Sequence, residues 1–113
     1  MADGFDLTKS HVADDTMEAF VNGAVDDDLT SVPGIGGGSV AVLAAGDEPV
    51  STTTALIGKF LTMHVPGDDG SQMCDAMWYW LKEKGVPGGH RSGTIHALAE
   101  KVNRMIPGCV SCL

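Results

Sequence analysis

Gly36, Gly37 and Gly38 stand directly before Ser39-Val40-Ala41-Val42-Leu43. Bare backbone amides at the start of a helix are suited to holding an anion, because unpaired first-turn N–H groups and the helix dipole both favour negative charge. The chemistry this stretch offers is therefore phosphate binding by backbone, with glycine letting a ligand approach closely. Upstream, Ser31-Val32-Pro33-Gly34-Ile35 reads as the end of a short helix running from Asp28 and a tight hairpin. Pro33 lacks an amide donor and Gly34 accepts positive φ, so neither continues a helix. Ile35 is expected to plug the gap between the flanking helices. The whole reads as a helix-hairpin-helix over about residues 28–45, against a ligand-free glycine-rich connector as the competing reading.

His90-Arg91, set before a helix expected to be capped by Ser92, is a second place for a phosphate contact, with a solvated connector as the alternative. Other groupings carry less. Cys109-Val110-Ser111-Cys112 has the C-x-x-C spacing of zinc and redox sites, yet it follows a helix end and has no second pair, which favours a frayed tail over a metal or redox role. His90 and His96 lie six apart, on different faces of a helix, so they do not share a metal. Asp26-Asp27-Asp28 lacks the ligand pattern of a calcium loop and reads as a cap with solvated charge. No nucleophile and base pair, carboxylate dyad or Walker-type loop stands out, so no catalytic residue, metal or cofactor is expected and the chain is not read as an enzyme.

The elements that position these groups follow from periodicity. From Asp14 or Asp15, either able to cap, Met17, Phe20, Val21 and Val25 share one helix face. Val40, Val42 and Leu43 form a short apolar helix ending at Gly46. Ser51 or Thr52 caps a helix carrying Leu56, Ile57, Phe60 and Leu61. Met73, Ala76, Met77, Trp80 and Leu81 give the clearest stripe, closed by Gly85; Trp80 is core, while Trp78 and Tyr79 lie off the stripe. A last helix from Ser92 turns Ile95, Leu98, Val102, Met105 and Ile106 inwards. No stretch alternates with period two, so the fold class is all-α, a compact bundle of five or six short helices. Residues 1–13 read as a mobile acidic arm, 14–107 as one helical domain and 108–113 as a tail.

The 113 residues carry a net charge of −8, unevenly placed. Residues 1–28 hold −7 of it and residues 29–113 only −1. A nearly neutral body can hold phosphate locally but lacks the basic field that drives much DNA binding. Three cysteines argue against a disulfide framework. No apolar run suits a membrane span and the first residues lack signal-peptide character, so an intracellular chain without membrane contact is expected.

Taken together, Ala19-Phe20-Val21, Val32-Pro33-Gly34-Ile35-Gly36, Leu43 with Gly46, Leu56-Ile57-Gly58-Lys59-Phe60-Leu61, Trp80-Leu81-Lys82 and Arg91 with Leu98 resemble the barrier-to-autointegration factor family over about residues 15–107. The resemblance implies a homodimer that binds double-stranded DNA without sequence preference, bridges two duplexes and works in the nucleus on chromatin. It implies that Gly34, Ile35, Gly36 and Gly37 form the phosphate-binding hairpin and that Arg91 is a basic DNA contact. Residues 37–46 hold no charge, where the second hairpin helix of that family carries lysines, and an acidic segment stands in place of its basic N-terminal contact. The alternative expectation is a protein-interaction or scaffold module on the same fold that turns its acidic surface to a basic partner.

Overall fold

The computed structural model describes residues 4–113. The first three residues of the expected arm lie outside them. Five helices carry the chain: α1 (Asp14–Asn22), α2 (Gly37–Ala44), α3 (Thr53–Leu61), α4 (Ser71–Lys84) and α5 (Gly88–Met105), with single 3-10 turns at Leu7–Lys9 and Leu29–Ser31. No strand occurs among the described residues. The all-α bundle expected from periodicity is what forms, with a radius of gyration of 12.8 Å, close to the ~13 Å of a folded domain of this length.

Local signals set most boundaries. The Thr52 hydroxyl accepts from the Ala55 amide at 3.1 Å and opens α3, as expected of one of the two cap candidates. Asp28 accepts from Thr30 N at 2.9 Å and Thr30 Oγ1 at 2.7 Å, and so caps the Leu29–Ser31 turn. The helix expected on that side of the hairpin is thus reduced to one 3-10 turn. α4 closes with Gly85 at φ +95°, where Gly85 N donates to Lys82 O and Val86 N to Leu81 O, the paired bonds of a Schellman cap.

Two expected caps differ. Ala13, not Asp14 or Asp15, takes the cap position of α1, and both aspartates fall in the first turn, where they still complement the dipole. α5 begins at Gly88 rather than Ser92. Pro87 supplies extended backbone just before it, and the two glycines are carried into the helix by packing further along. Ser92 is consequently buried in the second turn, where it accepts from the Asp6 amide at 3.2 Å.

α5 is the central element and packs on α1, α4, α3 and the Leu7–Lys9 turn. Leu43, Leu56, Phe60, Met73, Met77, Leu81, Ile95, Leu98 and Val102 are fully buried together, with Trp80 nearly so. Phe20, expected in that core, is half-buried at its margin beneath the Lys101 ammonium. Of the two off-stripe aromatics, Trp78 is buried and Tyr79 exposed.

Lys101 is an unusual cation, buried on α5 with no carboxylate partner among the described residues. Its Nζ donates to the carbonyls of Phe20, Val21 and Gly23 at 3.1, 3.2 and 2.6 Å. These oxygens close α1, where unpaired carbonyls and the negative dipole end favour a cation. Lys101 therefore pins α1 to α5.

Residues 4–12, expected as an arm because they lack periodicity, lie against α4 and α5. Phe5 N donates to Asp75 Oδ1 at 2.9 Å, and Ser10 Oγ meets His96 Nδ1 at 2.7 Å. Residues 109–112, expected as part of a tail, are also held. Asn103 bonds Val110 in both directions, at 2.8 and 2.7 Å, and Val110 is buried.

Candidate functional site

Val32–Ile35 is a type II turn: Pro33 precedes Gly34 at φ +87°, and Ile35 N donates to Val32 O at 3.0 Å. Val32 and Ile35 are buried, so the Ile35 side chain is an anchor. α5 clamps the turn from behind through the buried Thr94 hydroxyl, which donates to Pro33 O at 2.8 Å. A Cβ at Gly34 would collide with Thr94 Oγ1 and come 3.1 Å from His90 O. Gly34 is thus required twice, by its φ and by the approach of α5.

The three glycines that follow are different. Gly36, Gly37 and Gly38 have negative φ, and a Cβ at any of them would meet nothing within 4 Å. Gly36 takes the cap position of α2 without a side-chain cap, and Gly37 and Gly38 occupy its first turn, where amides have no helical acceptor. All three are exposed. Neither backbone strain nor packing requires glycine there, while the helix interior disfavours it by up to ~1 kcal/mol relative to alanine.

Gly36 and Gly38 border a cleft of about 690 Å³ lined also by the turn, Thr16, Thr30, Ser39, Pro87 and His90. Among the described residues no aspartate or glutamate lines it, in a chain with fifteen acids. The Thr16 and Ser39 hydroxyls, backbone amides and the His90 imidazole can donate there to an anion, whereas the Thr30 and Ser31 hydroxyls already donate to Asp28 Oδ1 and Asp26 O. A side hollow shared by Thr16, Gly34 and His90 adds His11. The acids begin at the rim, where Asp15 and Asp26 border the neighbouring hollow.

Of the residues singled out from sequence, Gly34, Ile35 and Gly36 line this cleft, and Gly37 sits in the first turn beside it. Arg91 does not line it. Its guanidinium lies 4.8 Å from the Trp78 ring centre, and Nε donates to Val86 O at 2.9 Å. One residue earlier on α5, His90 faces the turn instead. The early start of α5 decides this, because position on a helix fixes which neighbour meets which face.

No family model, curated protein or solved structure matches the chain. The functional reading therefore rests on its own geometry.

Other cations are held in structural contacts. Lys59 pairs with Glu48 at 2.9 Å and Lys84 donates to Ala45 O at 2.7 Å, both near Trp80. The Lys59 contact holds the Glu48 carboxyl below its ordinary range. Hydrogen bonds from the hydroxyl and amide of Thr54 do the same for Asp27, and those of Thr30 for Asp28. Asp26 Oδ1 accepts from the Asp28 amide at 2.9 Å, so all three clustered aspartates are structural acceptors. Among the described residues no group of histidines, cysteines and acids is placed to hold a metal. No helix is long and apolar enough to cross a membrane.

Proposed function

We propose that this chain binds the phosphate backbone of double-stranded DNA without sequence preference, at the cleft beside the Val32–Gly38 turn. The observation that carries the reading is the pairing of an acid-free cleft with three glycines that the fold itself does not need. Amides at the start of α2 would donate to phosphate oxygens, with the Thr16 and Ser39 hydroxyls and His90 beside them. Contacts of this kind position a backbone and read no bases. With Arg91 committed to Trp78, the contribution of side-chain cations is small.

That composition gives the reading a specific signature. Affinity should be equal for unrelated duplexes and should fall with salt along a shallow slope, since log K changes by ~0.9 per neutralised phosphate in log salt. Neutralising Asp26 at the rim to asparagine should strengthen binding. Bridging by a homodimer, and a place on chromatin, extend the same proposal. A duplex-binding titration at low salt, run beside light scattering, tests both parts. Absence of binding at low salt by the full chain and by Asp26→Asn refutes the phosphate reading.

A second reading has its own support. Asp14, Asp15, Glu18 and Asp26 form an exposed acidic rim while most lysines and arginines are engaged with carbonyls or rings. Such a surface suits a basic protein segment. If duplex DNA fails to bind and a basic peptide binds with strong salt dependence, the interaction module is the better description.

A further inference from the structure

Three cysteines are free, and two of them lie together in the fold. Asp69 O accepts from both Ser111 N and Cys112 N, each at 2.9 Å. Val110 packs on Gly70 so closely that a Cβ there would come 2.8 Å from its Cγ1. These contacts lay residues 110–112 along the first turn of α4. Cys112 then borders a surface hollow with Ser71 and Asp75, the residues three before and one after Cys74 on that helix. Cys74 is fully buried beneath, on the same turn of α4 as the residues Cys112 borders, and burial, helped by the nearby Cys112 thiol, pushes its own thiol up. Cys112, and not Cys109, lines that hollow on α4.

We propose that Cys74 and Cys112 are a peroxide-sensitive thiol pair whose disulfide fastens residues 109–113 to α4. Cys112 is half-buried and borders the hollow, so it meets the oxidant first; hydrogen peroxide converts its thiol to a sulfenic acid and releases one water. The Cys74 thiol then attacks the sulfenic sulfur, loses its proton to the departing hydroxide, and leaves a disulfide and a second water. Two thiols are oxidised and one peroxide is reduced. Burial, with the Cys112 thiol and Asp75 and Asp69 close by, pushes the Cys74 thiol up, which makes the second step the slow one, since the thiolate is the nucleophile. The two aspartates also disfavour an anionic oxidant such as glutathione disulfide relative to neutral peroxide.

The test uses the full chain, reduced and then exposed to hydrogen peroxide. Tryptic cleavage after Lys59, Lys82 and Arg104 puts Cys74 on one peptide and Cys109 with Cys112 on another. The expected product is a monomer lighter by two hydrogens, with these peptides joined until reduction and a higher melting temperature than the reduced chain. Cys109→Ser should leave the cross-link in place and Cys112→Ser should remove it. Oxidation with glutathione disulfide should give the same link more slowly. A Cys109–Cys112 link, a link lost in Cys109→Ser, or Cys74 remaining open to alkylation after Cys112 is oxidised would overturn the proposal.

Discussion

Gly38→Asp separates the fold from the ligand, because the two should respond with opposite sign. Gly38 is exposed at the second position of α2, its φ is negative, and a Cβ there has open space. Replacing glycine in a helix by alanine stabilises by roughly 0.5–1 kcal/mol. Aspartate recovers less of that, since its propensity lies well below that of alanine, but a carboxylate in the first turn adds about 0.3–1 kcal/mol through the dipole. The net gain for Gly38→Asp is then roughly 0.5–1 kcal/mol. A midpoint rise of several degrees follows, at about 4–8 °C per kcal/mol for a domain near this size. Binding should move the other way. A carboxylate about 4 Å from a phosphate is repelled by about 1 kcal/mol in water and about 4 kcal/mol at the effective dielectric near a protein surface. DNA affinity should therefore fall by about fivefold or more at low salt, and the loss should shrink as salt screens it. Gly38→Ala should gain stability while keeping most of its affinity. Fluorescence anisotropy on a labelled duplex and a thermal melt on the same preparations read both quantities. Unchanged DNA affinity in a folded Gly38→Asp protein would refute the claim that the start of α2 holds phosphate.

Other outcomes follow from the packing. Gly34→Ala should destabilise by roughly 2–4 kcal/mol, since it strains a positive φ and displaces the Thr94 hydroxyl, as a denaturant titration would register. Thr94→Val leaves Pro33 O buried without its donor and should cost about 1–3 kcal/mol by the same titration. Leu56→Ala and Leu98→Ala, at fully buried positions, should each cost roughly 2–5 kcal/mol; a cost under 1 kcal/mol would contradict their place in one core. Stability should also fall in acid with a defined sign. Asp27 and Asp28 titrate below their ordinary values because Thr54 and Thr30 donate to the carboxylates. Their contribution is complete above the unfolded pKa of about 3.9 and is lost as pH falls through the lower folded values. Thr30→Val and Thr54→Val should flatten that acid limb, and an unchanged acid midpoint would exclude this origin.

What the sequence by itself determined was local. Apolar spacing at 3.6 residues placed α3, α4 and most of α5, because a stripe of Leu56, Ile57 and Phe60 or of Met73, Met77 and Leu81 has no other way to leave water. Thr52, Gly85 and the Pro33-Gly34 turn were legible for the same reason, since caps and turns depend on a few adjacent φ values and donors. Tertiary structure decided what periodicity cannot encode. α5 starts four residues before its expected cap because its packing outweighs two glycines, and that shift turns His90 to the cleft and Arg91 onto Trp78. Residues 4–12 have no repeat to detect, yet single hydrogen bonds to Asp75, Ser92 and His96 hold them on α4 and α5. Cys112 reads as the partner of Cys109 in sequence and is laid beside the first turn of α4 in space, because Asp69 and Gly70 take up the chain that carries it. The acid-free lining of the cleft has the same origin. Charge along the chain is fixed by the residues, but which charges face one hollow depends on contacts between segments far apart in sequence.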